Sequence, residues 1–346
     1  MFSRFRLGYL AVLLILPVLG CQTADRSATT TTTERAQTNG AGSTATAEED
    51  KVVEAARSLV PAVVNIQTAG AQGEGQGSGV IFRKDGHILT NAHVIAGAQR
   101  VTVLLASGAQ ESATVVGADS FTDIAVLRID RDNLPVAPLG SSRGLKVGEF
   151  VLAVGSPLGF RHSVTFGIVS ALDRAIPEGG PALVDLVQTD APISPGNSGG
   201  ALASDDGKVI GINVAAIQPS AGAQGLGFAV PIDTARETAD ELIREGRVVH
   251  AFLGVETVTL TEDLASQFNL ASSTGALIVD VQPDSPADGA GLRAGDILVE
   301  MGGQKIEGTE DVFGELRRRD PGDRVELEVF RDSRRVQLQA VLGERE

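Results

Sequence analysis

Residues 52–246 form a succession of short β-branched runs broken by glycine turns, and that pattern leaves few folds open. Runs at 62–66, 101–105, 124–127, 150–154 and 209–214 are all of strand length, with turn residues between them. Strands at such spacing predict a β-barrel or sandwich rather than an alternation of strands and helices. A helical pattern appears only at the end, over 233–245, introduced by Pro231 and stopped by Gly246. With 41 glycines, one tyrosine and no tryptophan, the core must be built from valine, isoleucine, leucine and alanine.

The 346 residues suffice for two ordinary domains, and a chain 42% hydrophobic and 21% charged is globular. A net charge of −15, without a basic patch interleaved with aromatics, argues against nucleic acid as a partner. The single cysteine rules out an intramolecular disulfide. Its place is informative: Arg4 and Arg6 precede an apolar run, 7–19, that is short for a membrane span and ends Val-Leu-Gly-Cys, so residues 1–20 read as a signal peptide. Cys21 after Leu-Gly resembles the lipobox of bacterial lipoproteins, which implies acylation of its thiol and a mature chain anchored to a membrane. Gln22 follows where an aspartate would favour inner-membrane retention, so the outer membrane is the expectation in a Gram-negative cell. Residues 22–50 carry no apolar periodicity and read as a linker. As a tether of about 27 residues it would span roughly 30 Å.

Three segments hold polar residues that a strand core does not need. They are Thr-Asn-Ala-His-Val at 90–94, Thr-Asp-Ile-Ala-Val-Leu at 122–127 and Pro-Gly-Asn-Ser-Gly-Gly at 195–200. A serine hydroxyl needs a neighbouring base to act as a nucleophile. His93 is the candidate base for Ser198, and Asp123 the candidate to hold its tautomer and stabilise the imidazolium. The backbone N–H groups of Gly196 and Ser198 are the candidate oxyanion hole. The run 196–200 also matches the G-x-S-x-G elbow, but that motif needs a helix directly after the serine and a histidine downstream. The next strand begins at Val209, and the one later histidine is His250, between domains.

These segments, with Gly-Ser-Gly-Val at 77–80 and Gly-Leu-Gly-Phe-Ala-Val-Pro at 225–231, resemble the protease domain of the HtrA/Deg family over about 51–246. The resemblance implies a mainly β, chymotrypsin-like double β-barrel with the triad His93, Asp123 and Ser198 between the barrels. It also implies a specificity pocket at Ile193, Ala216 and Ile217, and hence cleavage after small or medium aliphatic residues; each of these three also fits an ordinary core position. Ser194 and Ala201 depart from the family pattern, which usually has Asn and Pro there.

From residue 250 to 346 the character changes. Strand-like runs at 276–281, 297–301 and 324–330 surround a helical stretch at 309–319, and the run 285–298 resembles a PDZ signature. Phe252, Leu253, Gly254 and Val255 resemble the loop that binds a peptide's terminal carboxylate, with the peptide adding as a strand. Val312 and Leu316, spaced i and i+4, fit either the groove or the core.

The reading is an ATP-independent serine endopeptidase of the cell envelope or periplasm. It acts on unfolded or exported proteins under PDZ control by C-terminal peptides, and the resemblance implies a homotrimer. The alternative is a non-proteolytic chaperone or PDZ scaffold. No metal-ligand cluster such as HExxH is present, His87 and His162 match no motif, and neither cofactor nor metal is expected.

Overall fold

The computed structural model of the chain describes residues 42–71, 73–157, 162–176, 182–214, 226–268, 270 and 272–345. Cys21, Ala216 and Ile217 therefore lie outside the described residues. The first element is helix α1 (Gly42–Leu59), which begins inside the stretch that composition reads as a linker. Its last two turns explain it. Ala55 and Leu59 are buried, and Val52 and Ala56 pack beside them, so one face at i, i+3, i+4 and i+7 sits on the core. Once nucleated there, the helix extends back through alanine and glutamate, both good helix formers.

Next come β1 (Val63–Gly70), β2 (Gly73–Ile81), β3 (His87–Thr90), the one-turn α2 (Ala92–Ile95), β4 (Ala98–Leu104), β5 (Gln110–Asp119) and β6 (Ile124–Ile129). They close into a barrel in the order β1-β2-β3-β6-β5-β4, with β4 pairing back onto β1. A second closed barrel, β10-β11-β12-β9-β8-β7, uses β7 (Phe150–Gly155), β8 (Ser163–Ile176), β9 (Leu183–Thr189), β10 (Ala201–Ser204), β11 (Val209–Val214) and β12 (Gly227–Pro231).

The continuous apolar runs now have a cause. Along β1, Val63 joins the core between the barrels, whereas Val64 fills the first barrel. Along β7, Leu152 and Val154 face the shared core, and Val151 and Ala153 fill the second barrel. Successive side chains on a strand point to opposite faces, and here both faces are buried, so alternation disappears from the sequence. Six strands enclose a narrower interior than eight, and it is filled by valine, isoleucine, leucine and alanine.

Helix α3 (Ile232–Glu245) lays Ala235, Ala239 and Leu242 on the shared core and ends at Gly246, in the left-handed conformation at φ 77°. At its start Asp233 accepts hydrogen bonds from Ser141 Oγ and from the backbone of Ser142 and Arg143, pinning the inter-barrel connection to the helix.

The C-terminal part comprises β13 (His250–Phe252), β14 (Val255–Thr259), α4 (Glu262–Phe268), β15 (Ala276–Val281), α5 (Pro286–Ala290), β16 (Ile297–Met301), β17 (Gln304–Lys305), α6 (Thr309–Arg317), β18 (Arg324–Arg331), β19 (Arg334–Val341) and β20 (Gly343–Arg345). A sheet ordered β14-β15-β16-β18-β19 covers its own core, and β13 pairs with β20. No helix among the described residues is long and apolar enough to cross a membrane.

Candidate active site

Asp123 sits at the end of the turn between β5 and β6, and the turn is shaped by another acid. Asp119 accepts from Phe121 N at 3.2 Å, Thr122 N at 3.1 Å and Thr122 Oγ1 at 2.6 Å. This folds the chain so tightly that Asp123 adopts φ 54°, a conformation unusual outside glycine. Its carbonyl accepts Ala92 N and Asn91 Nδ2, which fixes the start of α2. Its carboxylate then takes two bonds from one residue: His93 N to Oδ1 at 2.9 Å, and His93 Nδ1 to Oδ2 at 2.7 Å. A carboxylate accepts only, so Nδ1 carries the proton and Nε2 is left as the basic nitrogen. The Asp123 side chain is 5% exposed and that of His93 38%, an arrangement that hides the acid and presents the imidazole.

Ser198 follows a turn closed by Asn197 N on Ser194 O at 2.9 Å. Pro195 and Gly196 are its central residues and Gly196 has φ 97°, the signature of a type II turn. Gly196 is required twice, because a Cβ there would also lie 2.8 Å from Pro157. At Gly199, φ is 81° and a Cβ would meet Ser78 O at 2.2 Å. Strand β2 brings the parts together. Ser78 N donates to Ser198 O at 2.7 Å, and Gly77 lies against both Ser198 O and the side chain of Val94, the neighbour of His93. Among the described residues, the N–H groups of Gly196 and Ser198 have no acceptor.

Ile193 is 9% exposed, belongs to the core of the second barrel and touches Gly227. His87 finds a partner two residues away in Asp85 Oδ1, and His162 reaches across the chain to Val63 O at the start of β1.

Gly254 has φ 88°, and a Cβ there would lie 2.3 Å from Ser285 Cβ, so only glycine lets this loop bend. Phe252, Leu253, Gly254 and Val255 line an apolar groove with Val312 and Leu316 of α6. Val312 is also buried in the core beneath, so both expectations for it hold. No sequence motif points to the barrels reaching this groove, yet Phe121, Ala182 and Val184 line it as well. Hydrogen bonds from three residues cross the junction. His250 Nε2 meets Asp119 Oδ1 at 2.8 Å, Arg317 donates to Val184 O at 2.9 Å and to Thr234 Oγ1 at 3.0 Å, and Arg318 pairs with Asp185 at 3.2 Å. Burial, offset in part by Asp185 and Asp119, holds the Arg317 guanidinium below its usual range.

Two closed barrels followed by a peptide-groove module define a chymotrypsin-like peptidase fold joined to a PDZ domain. Residues 77–212 match the trypsin-like peptidase domain family and 251–342 match the PDZ domain family. A probable periplasmic serine endoprotease, DegP-like, of Halomonas elongata is 45% identical over 80% of this chain and 59% of its own length. The chain thus spans somewhat more than half of that relative. The solved HtrA-type protease AlgW with decapeptide is 36% identical, covers 85% of this chain and 99% of its own, and has a TM-score of 0.71. A serine endoprotease from Yersinia pestis is 33% identical, with coverages of 85% and 98% and a TM-score of 0.67. The chain belongs to the HtrA-type protease family.

Proposed function

We propose that the protein is an ATP-independent serine endopeptidase that degrades or processes unfolded and exported proteins in the periplasm. The observation that carries this is Asp123 holding both the backbone and Nδ1 of His93, together with a serine turn whose two N–H donors find no acceptor among the described residues. In this mechanism His93 Nε2 removes the Ser198 hydroxyl proton as Oγ attacks the scissile carbonyl, and later returns it to the leaving amine. Asp123 stabilises the imidazolium. Gly196 N–H and Ser198 N–H receive the developing oxyanion, a role in which one donor is worth about 3 kcal/mol of barrier.

Ile193, and by resemblance Ala216 and Ile217, favour cleavage after small or medium aliphatic residues. The groove at 252–255 takes a C-terminal peptide, whose arrival at Phe121 and Val184 would be felt by the loop carrying Asp123. Cys21 anchors the chain by a lipid in this reading, with the outer membrane preferred, and the assembly is a homotrimer. The test compares casein cleavage by the full chain and by Ser198→Ala, with and without a library of C-terminal peptides. Cleavage by wild type only, rising with particular peptides, supports the proposal. Equal protection of the client from aggregation by both proteins, without cleavage, would move the protein to the chaperone class.

A further inference from the structure

We infer that Ser78, a fully buried residue of β2, is a positioning residue that holds the turn 194–197 in the form that presents Gly196 N–H to the oxyanion. The inference rests on the protease reading above. Ser78 spends its polar atoms on opposite sides of the site. Its Oγ donates to Gly196 O at 2.6 Å and accepts from Ser156 N at 2.8 Å. Its N–H donates to Ser198 O at 2.7 Å, and its carbonyl accepts from Thr90 Oγ1 at 2.7 Å, three residues before His93. One side chain of the first barrel therefore reaches the nucleophile's turn and the end of β7 in the second.

The peptide units around Ser198 show what this achieves. The 196–197 unit is held at both atoms, its oxygen by Ser78 Oγ and its N–H by Ser194 O. The 198–199 unit is held likewise, by Ser78 N and by Asn213 O. The 195–196 and 197–198 units, between and beside them, carry the two N–H groups that have no acceptor among the described residues. Type I and type II turns differ by a flip of the central peptide, here 195–196. Anchoring the neighbouring unit resists that flip, which would turn Gly196 N–H away from the substrate. A second layer steadies the anchor. Asn65 Nδ2 donates to Ser156 O at 2.7 Å, and Pro157, the next residue, is the surface on which Gly196 packs. Without the hydroxyl, Gly196 O becomes a buried acceptor with no donor, a state that drives rearrangement.

The experiment compares full-length wild type, Ser78→Ala, Ser78→Thr and Ser198→Ala on one fluorogenic peptide and on a peptide boronate that forms a tetrahedral adduct with serine. For Ser78→Ala the expected result is a kcat lower by about 10²-fold with KM within about threefold, the scale of losing one oxyanion donor. Boronate affinity should fall in step, while C-terminal peptides bind as before. Ser78→Thr, which keeps a hydroxyl, should recover much of the loss. If Ser78→Ala does not fold, Ser78→Cys carries the test, since it fills similar space with a weaker donor. A kcat within twofold of wild type in the folded alanine or cysteine variant overturns the inference alone. So does a loss confined to KM. If wild type is as inert as Ser198→Ala, the protease reading falls and the role of Ser78 falls with it.

Discussion

His250 Nε2 lies 2.8 Å from Asp119 Oδ1, so the first strand of the PDZ domain is bonded to the acid that shapes the turn bearing Asp123. Both side chains are nearly buried, and the His250 ring also lies 4.7 Å from that of Phe121. The same carboxylate thus serves the turn and the docking of the PDZ domain.

That double use has a pH signature. Burial pushes the Asp119 carboxyl up, but hydrogen bonds from His250, Thr122 and Phe121 outweigh it and leave the pKa below the ordinary aspartate value. A depressed carboxylate stabilises the folded state above its unfolded pKa, near 4, and loses that contribution as pH falls through the folded value. Asp119→Asn should cost about 1–3 kcal/mol at neutral pH. It should also flatten the acid limb of a stability-versus-pH curve measured by urea titration between about pH 5 and 2.

Asp123→Asn keeps a side chain of the same shape in the same strained backbone, since asparagine tolerates φ near 54°. Its amide no longer requires the proton on Nδ1. The expected outcome is a kcat lower by about 10⁴-fold with the fold intact. Peptidase assays alongside far-ultraviolet circular dichroism check both halves.

Arg317→Met removes two hydrogen bonds that cross from α6 to the barrels while keeping much of the side-chain volume. Hydrogen bonds to charged groups are worth roughly 1.5–3 kcal/mol each, less what burial of the guanidinium costs. The substitution should loosen docking and shift the concentration of C-terminal peptide needed for half-maximal cleavage by severalfold. A dose–response curve unchanged from wild type would show that docking and activity are uncoupled.

Cys21→Ala addresses the anchor. If Cys21 is acylated, the variant should lose the added acyl mass and accumulate an unprocessed form that keeps residues 1–20, seen by mass spectrometry. A mature mass unaltered beyond the substitution itself would refute the lipid.

Much of the architecture was readable because strands buried on both faces write themselves as unbroken apolar runs. The run at 209–214 coincides with β11, which is buried along its whole length. Polar islands in such a background are conspicuous, and the structure brings His93 and Asp123 into contact and lays Gly77 against both Ser198 O and the side chain of Val94. Helix α1 escaped because its first half has a linker's composition, while the residues that seat it on the core, Ala55 and Leu59, come only in its last two turns. Strand β2 carries Gly-Glu-Gly-Gln-Gly-Ser-Gly and shows no apolar pattern at all, so the links from Ser78 to Gly196 and Ser156 left no periodic trace. The bond from His250 to Asp119 joins residues 131 apart, a distance over which no local pattern speaks.

The packing of Phe121 on His250 also has an optical consequence. The chain has no tryptophan, and its one tyrosine, Tyr9, lies in the expected signal peptide. A processed protein would therefore be nearly dark at 280 nm. Phe121→Trp would place a single emitter against an imidazole, whose quenching depends on its proximity and charge. Its emission lifetime would read out in real time whether the C-terminal module is seated on the loop that carries Asp123.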